Sequence, residues 1–365
     1  MKIKSINLEN IRLFDSLNLS FIDDNNNESH NVILIVGENG TGKSTILKSI
    51  VSCFTINCNQ YGGEIFDYDD VTNGKNNGTI IVNTVMNHNE IEYLGKSISR
   101  QDFFQYIVLK DNLEIDTEIV HKYNGNCLYN RDKGAVNKNY NDALSRIRQD
   151  YLSIDFLILY FDVFRLMPKI PITGPNTANL PKSSIEQSLS SSVQQQNIIN
   201  RFLYVKQWLV NLDFKEAKLY QDTNRTSGFK DEVINAFNIL FAPYEFSRIT
   251  YESKILFKTP NGEVDIDDLS DGLKSVFSII GEMLFRFSMP YMNQENIDAK
   301  IILNTEAIVL IDEIDCHLHP KWQLNIIPSL RRLFPNVQFI MTTHAPLIVS
   351  SVHPDEVYQL GETIK

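Results

Sequence analysis

Val32-Ile-Leu-Ile-Val36 runs directly into Gly37-Glu-Asn-Gly-Thr-Gly-Lys-Ser44, and this junction limits the fold more than any other stretch of the chain. Five aliphatic residues in succession read as a strand buried on both faces. The loop that follows carries three glycines and ends in Lys43-Ser44-Thr45, and Ile46-Leu-Lys-Ser-Ile50 opens a helix. Gly37, Gly42, Lys43 and Ser44 satisfy the pattern G-x-x-x-x-G-K-[ST]. Each position has a physical reason. Glycine admits backbone conformations closed to residues with a Cβ, so successive N–H groups can curl round a phosphate. Lys43 supplies a point charge for the outer phosphates. The Ser44 hydroxyl suits Mg²⁺, and the helix N-terminus beneath favours negative charge. The whole loop, Glu38, Asn39, Gly40, Thr41, Gly42, Lys43, Ser44 and Thr45, is therefore expected to hold a nucleotide.

At 365 residues the chain is long for one domain. A content of 43% hydrophobic and 22% charged residues is that of a soluble globular protein. No apolar run approaches the roughly 18 residues of a membrane span. Met1-Lys-Ile-Lys-Ser-Ile-Asn-Leu8 alternates polar and apolar, which is a strand pattern and not a signal peptide. Cys53, Cys58, Cys127 and Cys316 show no CxxC spacing, which favours a reduced, cytoplasmic setting over disulfides or zinc. The net charge of −11 argues against a generally basic surface. DNA contact would need a local basic patch or an assembly that concentrates one.

The organisation reads as an α/β head in three parts: an N-terminal lobe over 1–165, a helical insertion over 166–245 and a C-terminal lobe over 246–365. Strands are expected at Lys2–Leu8, Leu17–Ile22, Thr79–Val85 and Asp155–Phe161. Residues 95–150 show no firm periodicity. Residues 168–197 carry four prolines and a Ser/Gln tract, the composition of a flexible loop. Helices are expected from Ile198 toward Tyr220 and from Asp231 to Phe241. Arg248–Lys258, a turn at Pro260-Asn-Gly262 and Val264–Ile266 read as a hairpin. Pro320 is expected to start a helix, and Pro328 to kink or break it.

Three further groups carry chemistry. Ala307-Ile-Val-Leu-Ile311 reads as a central parallel strand with Asp312 and Glu313 at its C-terminal end, where open α/β sheets bind ligands. Asp312 is placed to hold Mg²⁺, and Glu313, pointing the other way, to polarise an attacking water. Leu269-Ser-Asp-Gly-Leu-Lys274 precedes apolar residues at helical spacing. Ser270 or Asp271 would cap that helix, and Gly272 would let a phosphate approach. The stretch is either an ordinary helix start or a surface that closes on the γ-phosphate of a neighbouring subunit. Phe339-Ile-Met341 is a strand with His344 just past its end, a position from which a histidine can reach a γ-phosphate or remain structural. His317 and His319 could suggest a metal pair, yet i and i+2 do not share a helix face.

These blocks, in this order, resemble the ABC-type ATPase superfamily, and within it the branch of SMC, RecF and OLD proteins. Gly37–Thr45 matches its Walker A, Leu269–Lys274 its signature motif, Ile308–Glu313 its Walker B with catalytic glutamate, Asp315 its D-loop and His344 its H-loop. Ile6-Asn-Leu-Glu-Asn-Ile-Arg-Leu-Phe14 is similar to the branch's N-terminal hairpin, in which the arginine matched by Arg12 lies near the nucleotide. Asp312-Glu-Ile-Asp-Cys-His-Leu-His-Pro-Lys-Trp-Gln323 and Phe334–Ile340 look like the ATPases of anti-phage systems: Septu, retron-associated ATPases and OLD-family nucleases. The likeness covers residues 1–60 and 245–360 and is thin between them. Asp162 or a neighbour stands where the family has its Q-loop glutamine, and Asp271 and Leu273 depart from the commonest signature.

The resemblance implies an ABC-type head with an N-terminal antiparallel β-subdomain, a central mixed or parallel sheet and a helical insertion. It also implies ATP and Mg²⁺ as ligands, with Ser44 and Asp312 on the metal and Glu313 and His344 at the reacting end. Two heads would meet head to tail, as a homodimer or within a higher assembly. Ser270, Asp271, Gly272 and Lys274 of one would then face the nucleotide of the other, and Asp315 would join the two sites. A defence ATPase would control a separate effector nuclease, of HNH or TOPRIM type. Alternatives are a RecF- or SMC-like repair ATPase, the ATPase part of an OLD-type nuclease, and a scaffold that binds nucleotide without hydrolysing it.

Overall fold

The N-terminal alternation folds into β1 (Lys2–Ile11) and β2 (Phe14–Ser20), an antiparallel hairpin that turns at Arg12 and Leu13. The structure, a computed structural model, describes residues 1–23, 26–55, 71–72, 74–75, 77–86, 106–110, 115–124, 157–163, 165, 169–176, 195–291 and 299–361. The apolar run becomes β3 (Val32–Val36), followed by α1 (Lys43–Thr55) and then β4 (Asn77–Met86), β5 (Tyr106–Lys110), β6 (Ile115–Asn124) and β7 (Ile158–Phe161). Two long helices come next, α2 (Gln195–Thr223) and α3 (Phe229–Phe241), and then β8 (Glu245–Ile249), β9 (Ile255–Thr259) and β10 (Gly262–Asp265). The last part holds α4 (Asp271–Ser288), α5 (Ala299–Leu303), β11 (Ala307–Ile311), α6 (Pro320–Gln323), α7 (Ile326–Leu333), β12 (Val337–Thr343), α8 (Pro346–Val349) and β13 (Val357–Gln359).

The strands form three sheets. An antiparallel sheet runs β2-β1-β4-β6-β5 and a small antiparallel one runs β10-β9-β8. The third, β13-β3-β12-β11-β7, is parallel throughout. It takes β3 and β7 from the first 165 residues and the other strands from the last 60, so the two ends of the chain share one sheet. Successive residues of its strands point to opposite faces. Val32, Leu34, Leu159, Phe161, Val309, Ile311, Phe339 and Met341 join the core under α2, α3 and α4. Ile33, Ile35, Ile158, Tyr160, Ile308, Leu310 and Ile340 join a second core with α1 and the β1 sheet. Burial on both faces is why these strands read as continuous apolar runs.

Gln338, near the start of β12, is polar and fully buried. Its side-chain amide copies a peptide group. Oε1 accepts the Ile3 N–H at 2.7 Å, and Nε2 donates to Ile3 O at 2.9 Å and to His30 O at 3.0 Å. The contact falls where the β1–β4 register shifts, between Ile3 and Ser5.

Several expectations need correction. The hairpin's second strand begins at Phe14 and ends at Ser20, not at Leu17 and Ile22. Strands β5 and β6 lie in the stretch that lacked periodicity. Arg248–Lys258 is two strands of a meander, with a turn at Ser253, whose φ is 63°. The chain breaks at Leu324–Asn325, ahead of Pro328, which leaves this proline in the first turn of α7, where an N–H is not needed. Residues 169–176, expected to be flexible, are held on α2: Lys206 Nζ donates to Ile170 O at 2.8 Å and Gln207 Nε2 to Gly174 O at 2.9 Å. The rest of that loop, 177–194, lies outside the described residues, as do Cys58 and Cys127.

Candidate nucleotide site

Because β3, β12 and β11 are parallel neighbours, their C-terminal ends share one edge of the sheet. Adjacent strands lie about 4.8 Å apart, so the Gly37 loop, His344 and the Asp312–Glu313 pair span about 10 Å. The structure thus brings the glycine loop beside two groups that follow it by roughly 300 residues in the sequence.

The loop is built for close approach. Gly40 and Gly42 have φ of 85° and 93°, the region that favours glycine. A Cβ on Gly42 would lie 2.4 Å from the ring of Phe14, which is buried beneath the loop. The hairpin therefore supports the phosphate loop through Phe14. Arg12 sits at the exposed turn with φ 50°, and its carbonyl accepts from Thr72 Oγ1 at 3.1 Å. Lys43 is buried, and its Nζ donates to Gly37 O at 2.7 Å and Glu38 O at 2.8 Å. The ammonium is turned onto carbonyls of its own loop, which satisfy its donors in this buried setting. Glycine-permitted turns, a lysine within the loop and a helix N-terminus together fit a nucleotide phosphate.

Asp312 is buried, and its Oδ1 accepts from Thr342 Oγ1 at 2.6 Å. The same hydroxyl accepts the Glu313 N–H at 2.7 Å. Glu313 is partly exposed and has φ 46°, a left-handed conformation that costs a non-glycine residue about 1–2 kcal/mol. The Asp312 carboxylate just past β11 and the Ser44 hydroxyl at the start of α1 are the hard oxygen donors that Mg²⁺ takes. Asp315 is also buried: Thr343 Oγ1 donates to its Oδ1, and His344 Nδ1 lies 3.5 Å from its Oδ2. His344 is half exposed at the sheet edge.

Arg165 closes the site from behind. Its Nη2 donates to Asp312 O and, at 3.2 Å, to Glu313 O, while Nη1 donates to Ser275 Oγ on α4 at 3.0 Å. Burial pulls its pKa below the ordinary arginine value, against the raising influence of Cys316, Asp312, Asp162 and Asp315. Arginine stays charged through such a shift.

On α4, Ser270 is the N-cap residue, and its side chain makes no cap hydrogen bond. Ser270 and Asp271 are exposed, whereas Gly272 and Leu273 are buried. A Cβ on Gly272 would stand 2.2 Å from His317 O, so close packing against that carbonyl is itself a reason for glycine. Lys274 has its side chain largely buried, with Nζ 3.6 Å from Asp271 Oδ1 of the same helix. His319 Nδ1 accepts the Lys321 N–H at 3.3 Å and caps α6, with Pro320 in its first turn. Among the described residues no group of three His, Cys, Asp or Glu could hold a metal ion.

Sequence reasoning assigned no role to Thr342, Thr343, Arg165 or Phe14. Two threonines ending β12 beside a histidine are the only signal for the first two.

A phosphate loop on a parallel sheet, faced by an acidic strand end two strands away, defines a P-loop nucleotide-binding domain. The chain belongs to the AAA ATPase domain family, whose sequence profile matches residues 1–349. It is 26% identical to the retron Vc95 probable ATPase of Vibrio cholerae serotype O1 biovar El Tor, over 98% of this chain and 74% of that one. It is 24% identical to the retron Ec83 probable ATPase of Escherichia coli, over 99% and 71%. It is 30% identical to the Septu protein PtuA of Bacillus mycoides (strain KBAB4), over 53% of this chain and 25% of that one. The expected likeness to retron and Septu ATPases is thus borne out. A crystal structure of an Smc head bound to the C-winged helix domain of ScpA superposes with a TM-score of 0.49 at 13% identity, covering 99% of this chain and 97% of that one. Among the described residues no helix is long and apolar enough to cross a membrane.

Proposed function

We propose that the chain binds ATP with Mg²⁺ on the Gly37–Thr45 loop, hydrolyses it, and uses the cycle to join and release a second copy head to tail. Its role on this reading is the regulatory ATPase of an anti-phage defence complex, controlling an effector nuclease on another chain. The observation that carries the reading is the convergence of the loop, Asp312, Glu313 and His344 on one edge of the parallel sheet. The retron and Septu relatives support the setting.

In this account Lys43 leaves the carbonyls of Gly37 and Glu38 for the outer phosphates. Ser44 and Asp312 would hold Mg²⁺, which when bound would neutralise developing charge. Glu313 orients and polarises the water, and His344, steadied by Asp315, contacts the γ-phosphate. Ser270 has a hydroxyl not used within its own helix and an exposed setting, which suits it to a partner's γ-phosphate. Asp271, Gly272 and Lys274 would accompany it across the interface.

The test is phosphate release together with solution mass, with and without ATP, for the wild type and Glu313→Gln. Wild type should hydrolyse ATP. Glu313→Gln should bind ATP, stop turning over and accumulate as a dimer. Turnover unaltered by Glu313→Gln would overturn the role of Glu313, and a monomer at saturating ATP in both proteins would overturn the dimer.

A further inference from the structure

Glu313 sits in a left-handed conformation, so something must hold its backbone there. Both of its peptide groups are engaged. Its N–H is taken by Thr342 Oγ1 at 2.7 Å. Its C=O accepts the Cys316 N–H at 3.0 Å, a local turn, and Arg165 Nη2 at 3.2 Å, a contact from a different strand end. The preceding carbonyl, Asp312 O, accepts from the same Nη2. One nitrogen thus grips the two carbonyls that flank the Glu313 peptide. The other terminal nitrogen, Nη1, reaches Ser275, five residues after Ser270 on α4. Nε is buried without an acceptor, so the two terminal nitrogens alone orient the fork.

We propose that Arg165 is a positioning residue for hydrolysis, which fixes the backbone that aims Glu313 and ties it to the helix beginning at Ser270. The inference rests on the reading of Glu313 as the water-polarising residue. The guanidinium is suited to the task because its donors are coplanar and rigidly spaced, so a shift of α4 at Ser275 is passed to the Glu313 peptide as a rotation. Closure against a second copy would press on the exposed Ser270–Asp271 end of this same helix. The coupling therefore makes aim at the water depend on the state of the interface. A lysine keeps the charge but offers one nitrogen, which cannot hold the carbonyls and Ser275 together.

The experiment compares full-length wild type, Arg165→Lys, Ser275→Ala and the double variant, reading ATP Kd by titration calorimetry, kcat by phosphate release and melting temperature. Ser275→Ala leaves the arginine and both carbonyl contacts in place, so it reports on the coupling even if Arg165→Lys folds poorly. Arg165→Lys should lower kcat about tenfold or more and leave Kd within about threefold, and Ser275→Ala should lower kcat about threefold. The double variant should be no slower than Arg165→Lys alone, because both changes break one linkage. Wild-type kcat in either single variant, or a Kd that weakens in step with kcat, overturns the proposal. So does a double variant whose loss is the product of the two. Glu313→Gln run in parallel separates the layers. If it alone leaves turnover intact, the reading of Glu313 has failed; if it stops turnover while Arg165→Lys does not, only the coupling has failed.

Discussion

The Thr342 hydroxyl donates to Asp312 Oδ1 across 2.6 Å, tying the last turn of one strand to the carboxylate at the end of its neighbour. It accepts the Glu313 N–H at the same time, so one side chain orders both acidic residues of the site.

Thr342→Val keeps the shape and removes the hydroxyl, leaving a buried carboxylate oxygen and an amide without their partner. Such losses cost about 1–3 kcal/mol each. We expect a drop in unfolding free energy of that order and a fall in kcat of about tenfold or more. Thr342→Ser should restore both, and denaturant melts with phosphate release decide it. A valine variant that matches wild type in kcat would remove Thr342 from the site.

Lys43→Ala should leave the fold intact and weaken ATP binding. A charged contact is worth about 1.5–3 kcal/mol, so affinity should fall roughly 10- to 100-fold. Titration calorimetry reads this directly, and retained affinity would count against the Gly37–Thr45 loop.

Gly272→Ala places a Cβ 2.2 Å from the His317 carbonyl. Overpacking of this kind costs about 1–3 kcal/mol. The variant should show lower stability and a displaced α4 N-terminus, seen as faster amide exchange over 269–275. Full stability would mean that the His317 turn yields freely.

Gln338→Leu should destabilise the chain by about 2–4 kcal/mol, because the Ile3 N–H and C=O lose their partner in the core. Gln338→Glu, which can accept from Ile3 N but cannot donate to its carbonyl, should fall lower still. Urea melts order the three proteins, and a leucine variant as stable as wild type would refute the account.

The parts of the fold that the sequence exposes are those where one face or one loop decides the outcome. Val32–Val36 and Ala307–Ile311 are buried on both faces, so their apolar runs need no partner to be recognised. The glycine loop declares itself because its backbone excludes other residues. Thr342 is different. A threonine in a strand is ordinary, and its role appears only when the register sets Ile311 beside Met341 and so places Asp312 next to it. Arg165 meets its partners 110 to 148 residues further along the chain, and Gln338 meets Ile3 from 335 residues away. No local pattern encodes such pairs. Strands β5 and β6 escaped notice because Ile115-Asp-Thr-Glu-Ile-Val-His-Lys-Tyr-Asn124 mixes charges into its alternation.

Strand β3 lies between β12 and β13, both made at the far end of the chain. A ribosome adding about 5–20 residues per second would release β3 some 15–60 s before its neighbours exist. Through that interval the most apolar strand of the N-terminal lobe lacks both of its sheet neighbours, and the loop beside it has only the hairpin's Phe14 to brace it. The oldest part of the nascent chain is thus among the last to gain its sheet partners. A copy that stops before β11 and β12 has the glycine loop but neither Asp312 nor His344 beside it.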